Sequence, residues 1–110
     1  MKQIEFTVPA GCDLAQAERR IERICQVRGL QCAKKGTVSA HRGSIHWHYK
    51  RPKQNGTLEL TLWPSERRLW AAVHENRKAD WIEAELAALR SEIEEALARV
   101  ASASRRAGGS

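Results

Sequence analysis

The stretch Ser44–His74, SIHWHYKRPKQNGTLELTLWPSERRLWAAVH, decides the fold, because apolar and polar residues alternate through three successive runs separated by two turn signals. Alternation of period two sends successive side chains to opposite faces of a strand, so each run carries one apolar face. Those faces hold Ile45, Trp47 and Tyr49, then Leu58, Leu60 and Leu62, then Leu69, Ala71 and Val73. Pro52 and Asn55-Gly56 supply turn chemistry after the first run, and Pro64-Ser65-Glu66-Arg67 supplies it after the second. The stretch predicts an antiparallel meander.

Apolar residues must face apolar residues across each pair, and the turns must come out sensibly, so the registers are tightly constrained. Tyr49 falls opposite Leu58, Trp47 opposite Leu60 and Ile45 opposite Leu62; then Leu62 falls opposite Leu69, Leu60 opposite Ala71 and Leu58 opposite Val73. The same registers fix the other face, with His46 beside Thr61 and Trp70, His48 beside Glu59 and Ala72, Lys50 beside Thr57 and His74, and Trp63 at one end. That face is expected to be open and polar, with two tryptophans on it.

Working outward, Gln3–Val8 alternates and is ended by Pro9-Ala10-Gly11, which predicts a first strand. A helix follows from an Asp13 N-cap to a stop at Gly29, with Leu14, Ala17, Ile21, Ile24 and Cys25 at helical spacing. Leu30–Val38 reads as an edge strand in which Lys34-Lys35-Gly36 blurs the alternation, and lysines on an edge discourage stray pairing. After the meander, Asp80 and Glu83 open a second helix of about 20 residues. Its stripe is Ile82, Leu86, Leu89, Ile93, Leu97 and Val100.

These elements assemble as an α+β domain over residues 1–101. It has the element order β-α-β-β-β-β-α, one mainly antiparallel five-stranded sheet in the order 1-5-4-3-2, and both helices on one face. Trp47, Leu60, Ile21 and Leu89 are expected in the core, and the polar, glycine-bearing segment 102–110 is expected to be a disordered tail. In topology alone the layout resembles a helix-grip layer. The short chain without a family motif also resembles orphan products of bacterial mobile elements.

At 110 residues, 42 % hydrophobic and 29 % charged, the chain suits one core and no membrane span. Its start, MKQIEFTVPAG, lacks the apolar run of a targeting segment. Three cysteines, Cys12, Cys25 and Cys32, form no disulfide framework and no Cys-x-x-Cys pair, which together suggest a bacterial-type cytoplasm. The formal net charge is +6, and no acidic residue occurs from Arg23 to Leu58, whereas Asp80–Glu95 holds six acids against Arg90. A polarised molecule is expected.

No nucleophile, base and oxyanion donor can be grouped, and no cofactor fingerprint occurs, so the sequence favours a non-enzymatic binding module. The preferred surface is the basic tract Lys34, Lys35, Arg42, Lys50, Arg51 and Lys53 beside Trp63 and Trp70. Cations could follow a phosphate backbone there while indoles stack on bases, which makes nucleic acid, or otherwise an acidic protein, the partner. The alternative is a metal site: His46 and His48 lie two apart on one strand and point the same way, with Glu59 next to His48. His74 reaches them only across a diagonal. Such a site would make the chain a ligand- or metal-binding protein and open the way to a hydrolase, against the bland reading of a solvated polar face. Cys12, just before the first helix, is a candidate low-pKa thiol that lacks a partner base. Exposed tryptophans rimmed by polar residues also suggest self-association as a homodimer.

Overall fold

A computed structural model describes residues 2–108. The element order is β1 (Lys2–Phe6), α1 (Leu14–Val27), β2 (Gln31–Gly36), β3 (Ile45–Lys50), β4 (Leu58–Trp63), β5 (Arg68–Val73) and α2 (Asp80–Gly108). All strand pairs are antiparallel, in the order β1-β5-β4-β3-β2. The meander has the register its alternation requires: Trp47 faces Leu60, His48 faces Glu59, Leu60 faces Ala71 and Thr61 faces Trp70.

Both helices lie on the apolar face. Ala17, Ile21 and Cys25 of α1 and Ile82, Leu86, Leu89, Ile93, Leu97 and Val100 of α2 join Trp47, Tyr49, Leu58, Leu60 and Leu62 in one core. Asp13 caps α1 by accepting from the Ala15 and Gln16 N–H groups at 2.9 and 3.1 Å. Gly29, at φ +80°, takes the left-handed conformation that ends the helix. No helix among the described residues is long and apolar enough to cross a membrane.

Two local departures have physical causes. The register of β2 shifts between Cys32 and Lys34, a bulge that accounts for the blurred alternation there. The second helix runs 29 residues and so continues past the end of its apolar stripe, through 102–108 of the segment expected to be disordered. Alanine and arginine in that segment are good helix formers. Residues 109–110 of that tail lie outside the described residues.

The larger departure is on the second face of the sheet, which is covered over β4 and β5. In β4 Glu59 and Thr61 are buried as well as Leu58, Leu60 and Leu62, and in β5 Trp70 and Ala72 are buried as well as Leu69 and Ala71. The connection between β2 and β3 folds back over this face. It is held by the Val38 N–H to Ser44 Oγ bond and by backbone turns at His41 and Ser44, and it sets the His41 ring 4.5 Å from Trp63 and 5.1 Å from Trp70. Arg68 lies over the Trp70 ring at 4.6 Å.

Candidate functional site

The cover over the second face corrects the stacking platform. Trp70 is only 6 % exposed, beneath His41 and Arg68, and half-buried Trp63 donates its indole N–H to the Arg42 carbonyl at 2.9 Å. Val27 is the one large apolar side chain strongly exposed among the described residues. Exposed tryptophans, the premise of both base stacking and an indole-based dimer contact, are not there.

The basic tract divides in the same way. Arg51 continues the Ile45, Trp47, Tyr49 alternation, so it points to the helix face, where it meets Glu85 at 3.0 Å and lies over Trp81. The bulge pairs Lys35 with Trp47, turning its ammonium to Glu18 and Glu22 at 2.8 and 2.7 Å. Arg28 likewise pairs with Glu85 and Glu92. The acid-free segment is therefore compensated in part from the helices, at Arg28, Lys35 and Arg51. Lys34, paired with His48 in the register, stands on the histidine face near Lys50, whereas Arg42 sits by Trp63 at the far end of β3. Among the described residues no carboxylate pairs with Lys34, Arg42, Lys50 or Lys53.

The histidine group is where polar residues converge. His46 and His48 project from β3 towards Glu59 on β4, because residues two apart on one strand share a face with the residue across the ladder. The two Nε2 atoms are 3.1 Å apart, and Glu59 Oε1 lies 3.1 Å from that of His46 and 3.8 Å from that of His48. The other carboxylate oxygen, Oε2, meets His74 Nε2 at 3.1 Å and Arg77 at 3.7 Å. His74 makes the diagonal contact foreseen from the register, two residues beyond the Ala72 that faces Glu59. Arg77, missed from the sequence, comes from the connection before α2, whose course no alternation encodes.

Each group is oriented. His46 Nδ1 lies 2.7 Å from Thr61 Oγ1, which turns Nε2 towards Glu59, and the Glu59 carboxylate is fixed by its contacts on both oxygens. Burial, first among the causes, pulls both imidazoles below their usual pKa of 6.5; Glu59 opposes this, while Lys34 adds to it for both rings. Burial thus favours the neutral form of both rings. Two neutral tautomers of His46 fit these contacts: with the Thr61 hydroxyl donating to Nδ1, the Nε2–H donates to Glu59 Oε1, and with Nδ1–H donating to Thr61, the Nε2 lone pair faces the carboxylate oxygen and the His48 ring nitrogen. The second tautomer is the one in which Nε2 can hold a metal ion.

Cys12 does not meet the requirements of a nucleophile. Burial raises its thiol pKa, Asp13 raises it further, and only Arg67 opposes them, so the helix N-terminus does not produce a thiolate. Cys25 is fully buried, with its thiol pushed up to about 12.

Comparison with protein-family models, with curated proteins and with solved structures finds no match to this chain.

Proposed function

We propose that this chain binds one zinc-type divalent ion through His46 Nε2, His48 Nε2 and Glu59 Oε1, with a fourth coordination position left to water or a ligand. The observation that carries the proposal is the triangle of donor atoms, with edges of 3.1, 3.1 and 3.8 Å. Tetrahedral zinc with ligands at about 2.0–2.1 Å separates neighbouring donors by about 3.3 Å, and the three edges straddle that value. Neutral imidazoles and a carboxylate suit zinc and related transition ions. The contacts to Thr61, His74 and Arg77 are the outer partners that such ligands require.

Because His74 is engaged with Oε2, three protein ligands remain, the number found where a metal acts as a Lewis acid rather than as a structural staple. Metal-assisted hydrolysis is the reaction class this arrangement favours. Binding of nucleic acid along the basic tract has less support, since Lys35 and Arg51 are neutralised on the opposite face and Trp70 is buried.

Protein stripped with a chelator, reloaded with zinc and freed of excess should contain one zinc per chain by elemental analysis. His48→Ala should abolish this, and Lys34→Ala should leave it intact. Substoichiometric zinc in the wild type, or equal zinc in His48→Ala, would overturn the proposal.

A further inference from the structure

Beside His48 opens a cleft of about 690 Å³ between the β3–β4 hairpin and the connection that leads into α2. Its lining includes Lys50, Arg77 and Lys78, with Asn55 and Asn76 and no carboxylate. Among the described residues Lys50 pairs with no carboxylate, and Lys78 meets Glu75 at 3.7 Å with both side chains more than half exposed, a pair that solvent screens. Arg77 borders the cleft while also lying 3.7 Å from the buried Glu59 carboxylate, so it contributes charge shared with the proposed metal site.

The walls are preformed. The Thr57 N–H donates to the Arg77 carbonyl at 2.9 Å, and the Trp81 indole N–H donates to the Asn55 carbonyl at 2.7 Å. Gly56, at φ +101°, packs so closely that a Cβ there would lie 2.7 Å from that of Ala79. The hairpin loop and the connection are therefore locked together, and the cations lining the cleft do not depend on a bound partner to bring them near one another.

His48 borders this cleft, while His46 and Glu59 line the neighbouring cavity under His41. We infer that the cleft is the substrate subsite of the proposed metal centre and takes a small phosphate-bearing molecule that reaches the ion's open position past His48 with a phosphate oxygen. The inference rests on the metal proposal for that last contact only. Three cations with amide donors and no carboxylate match a phosphate better than a neutral or cationic ligand. The volume lies in the range of small-molecule sites and far exceeds a phosphate ion, which leaves space for an organic part. A polymer fits less well: Arg42 stands at the other end of β3, and Lys35 and Arg51 are on the opposite face, so no cationic track continues out of the cleft.

Calorimetric titration of inorganic phosphate and of phenyl phosphate into zinc-free and zinc-loaded protein tests this, with single-stranded oligonucleotide as a third probe. Phosphate should bind the zinc-free protein saturably and the zinc-loaded protein at least tenfold more tightly. Lys50→Ala/Lys78→Ala should weaken both at least tenfold while still taking up one zinc per chain. Tighter binding of phenyl phosphate would support a phosphate monoester as ligand, and equal affinities would support phosphate itself. The inference is overturned if zinc-loaded wild type binds neither phosphate, if the double variant binds them unchanged, or if only the oligonucleotide binds. Phosphate bound at Lys50 and Lys78 by a wild type that holds no zinc would sink the metal proposal and the bridging contact, and leave an anion cleft alone.

Discussion

The two faces of the sheet are covered by opposite means, the helix face across β3, β4 and β5 and the other only over β4 and β5. On the helix face Trp47, Leu58, Leu60 and Leu62 meet the stripes of α1 and α2, and glutamates on those helices reach over the rim to Lys35, Arg28 and Arg51. On the other face, Glu59 and Thr61 are buried among histidines, arginines and the returning loop. Burying apolar area stabilises a fold, whereas burying a carboxylate costs free energy unless its partners restore what water supplied. One face holds the molecule together, and the other carries a buried carboxylate whose cost its histidine and arginine partners must offset.

The largest effect should therefore come from the helix face. Trp47 is fully buried and donates its indole N–H to Glu22 at 2.9 Å, so Trp47→Ala should cost about 3–5 kcal/mol in urea denaturation. His48→Ala, measured without metal, should stay within about 1 kcal/mol. Equal losses would break the distinction.

Next is the linkage between metal and stability. Zinc at a hundred times its dissociation constant should stabilise the wild type by about 2.7 kcal/mol, with no gain in His48→Ala. A core variant such as Leu60→Ala should be weaker throughout yet show the full gain, since its change lies on the opposite face. A gain that vanished with Leu60 but survived loss of His48 would reverse the assignment.

Smaller still is Gly56→Ala, where a positive φ and a 2.7 Å approach to Ala79 should together cost about 1–3 kcal/mol. It should also loosen the cleft and weaken phosphate binding, without removing zinc. The smallest effect is chemical. In native protein at pH 8 an alkylating reagent should modify exposed Cys32 quickly and spare Cys12 and Cys25, whose thiols burial holds above their usual pKa. Labelling of Cys25 at the same rate would mean that the helix face opens far more readily than its packing implies.

The strand order, the presence of both helices and every register of the meander were legible in the sequence, because period and turn chemistry are local signals that reinforce one another, whereas the end of α2 was not, since the helix runs past its apolar stripe. His46, His48 and Glu59 followed from the same register. Arg51 was legible in principle, since it extends the Trp47 and Tyr49 alternation to the helix face. Lys35 was not, because a bulge resets its direction and leaves no mark beyond a blurred pattern. Nor could alternation show that the connection between β2 and β3 would cover Trp70, or that Arg77 would reach Glu59. Both depend on where irregular backbone travels, and that is settled by long-range packing.

The proposed metal centre is most directly tested by the visible spectrum of protein loaded with one equivalent of cobalt(II), whose bands report coordination number. The account predicts intense bands of a four-coordinate ion that are displaced by one equivalent of zinc and absent in His46→Ala. A spectrum no stronger than that of the hydrated ion, in protein that is otherwise folded, would contradict it.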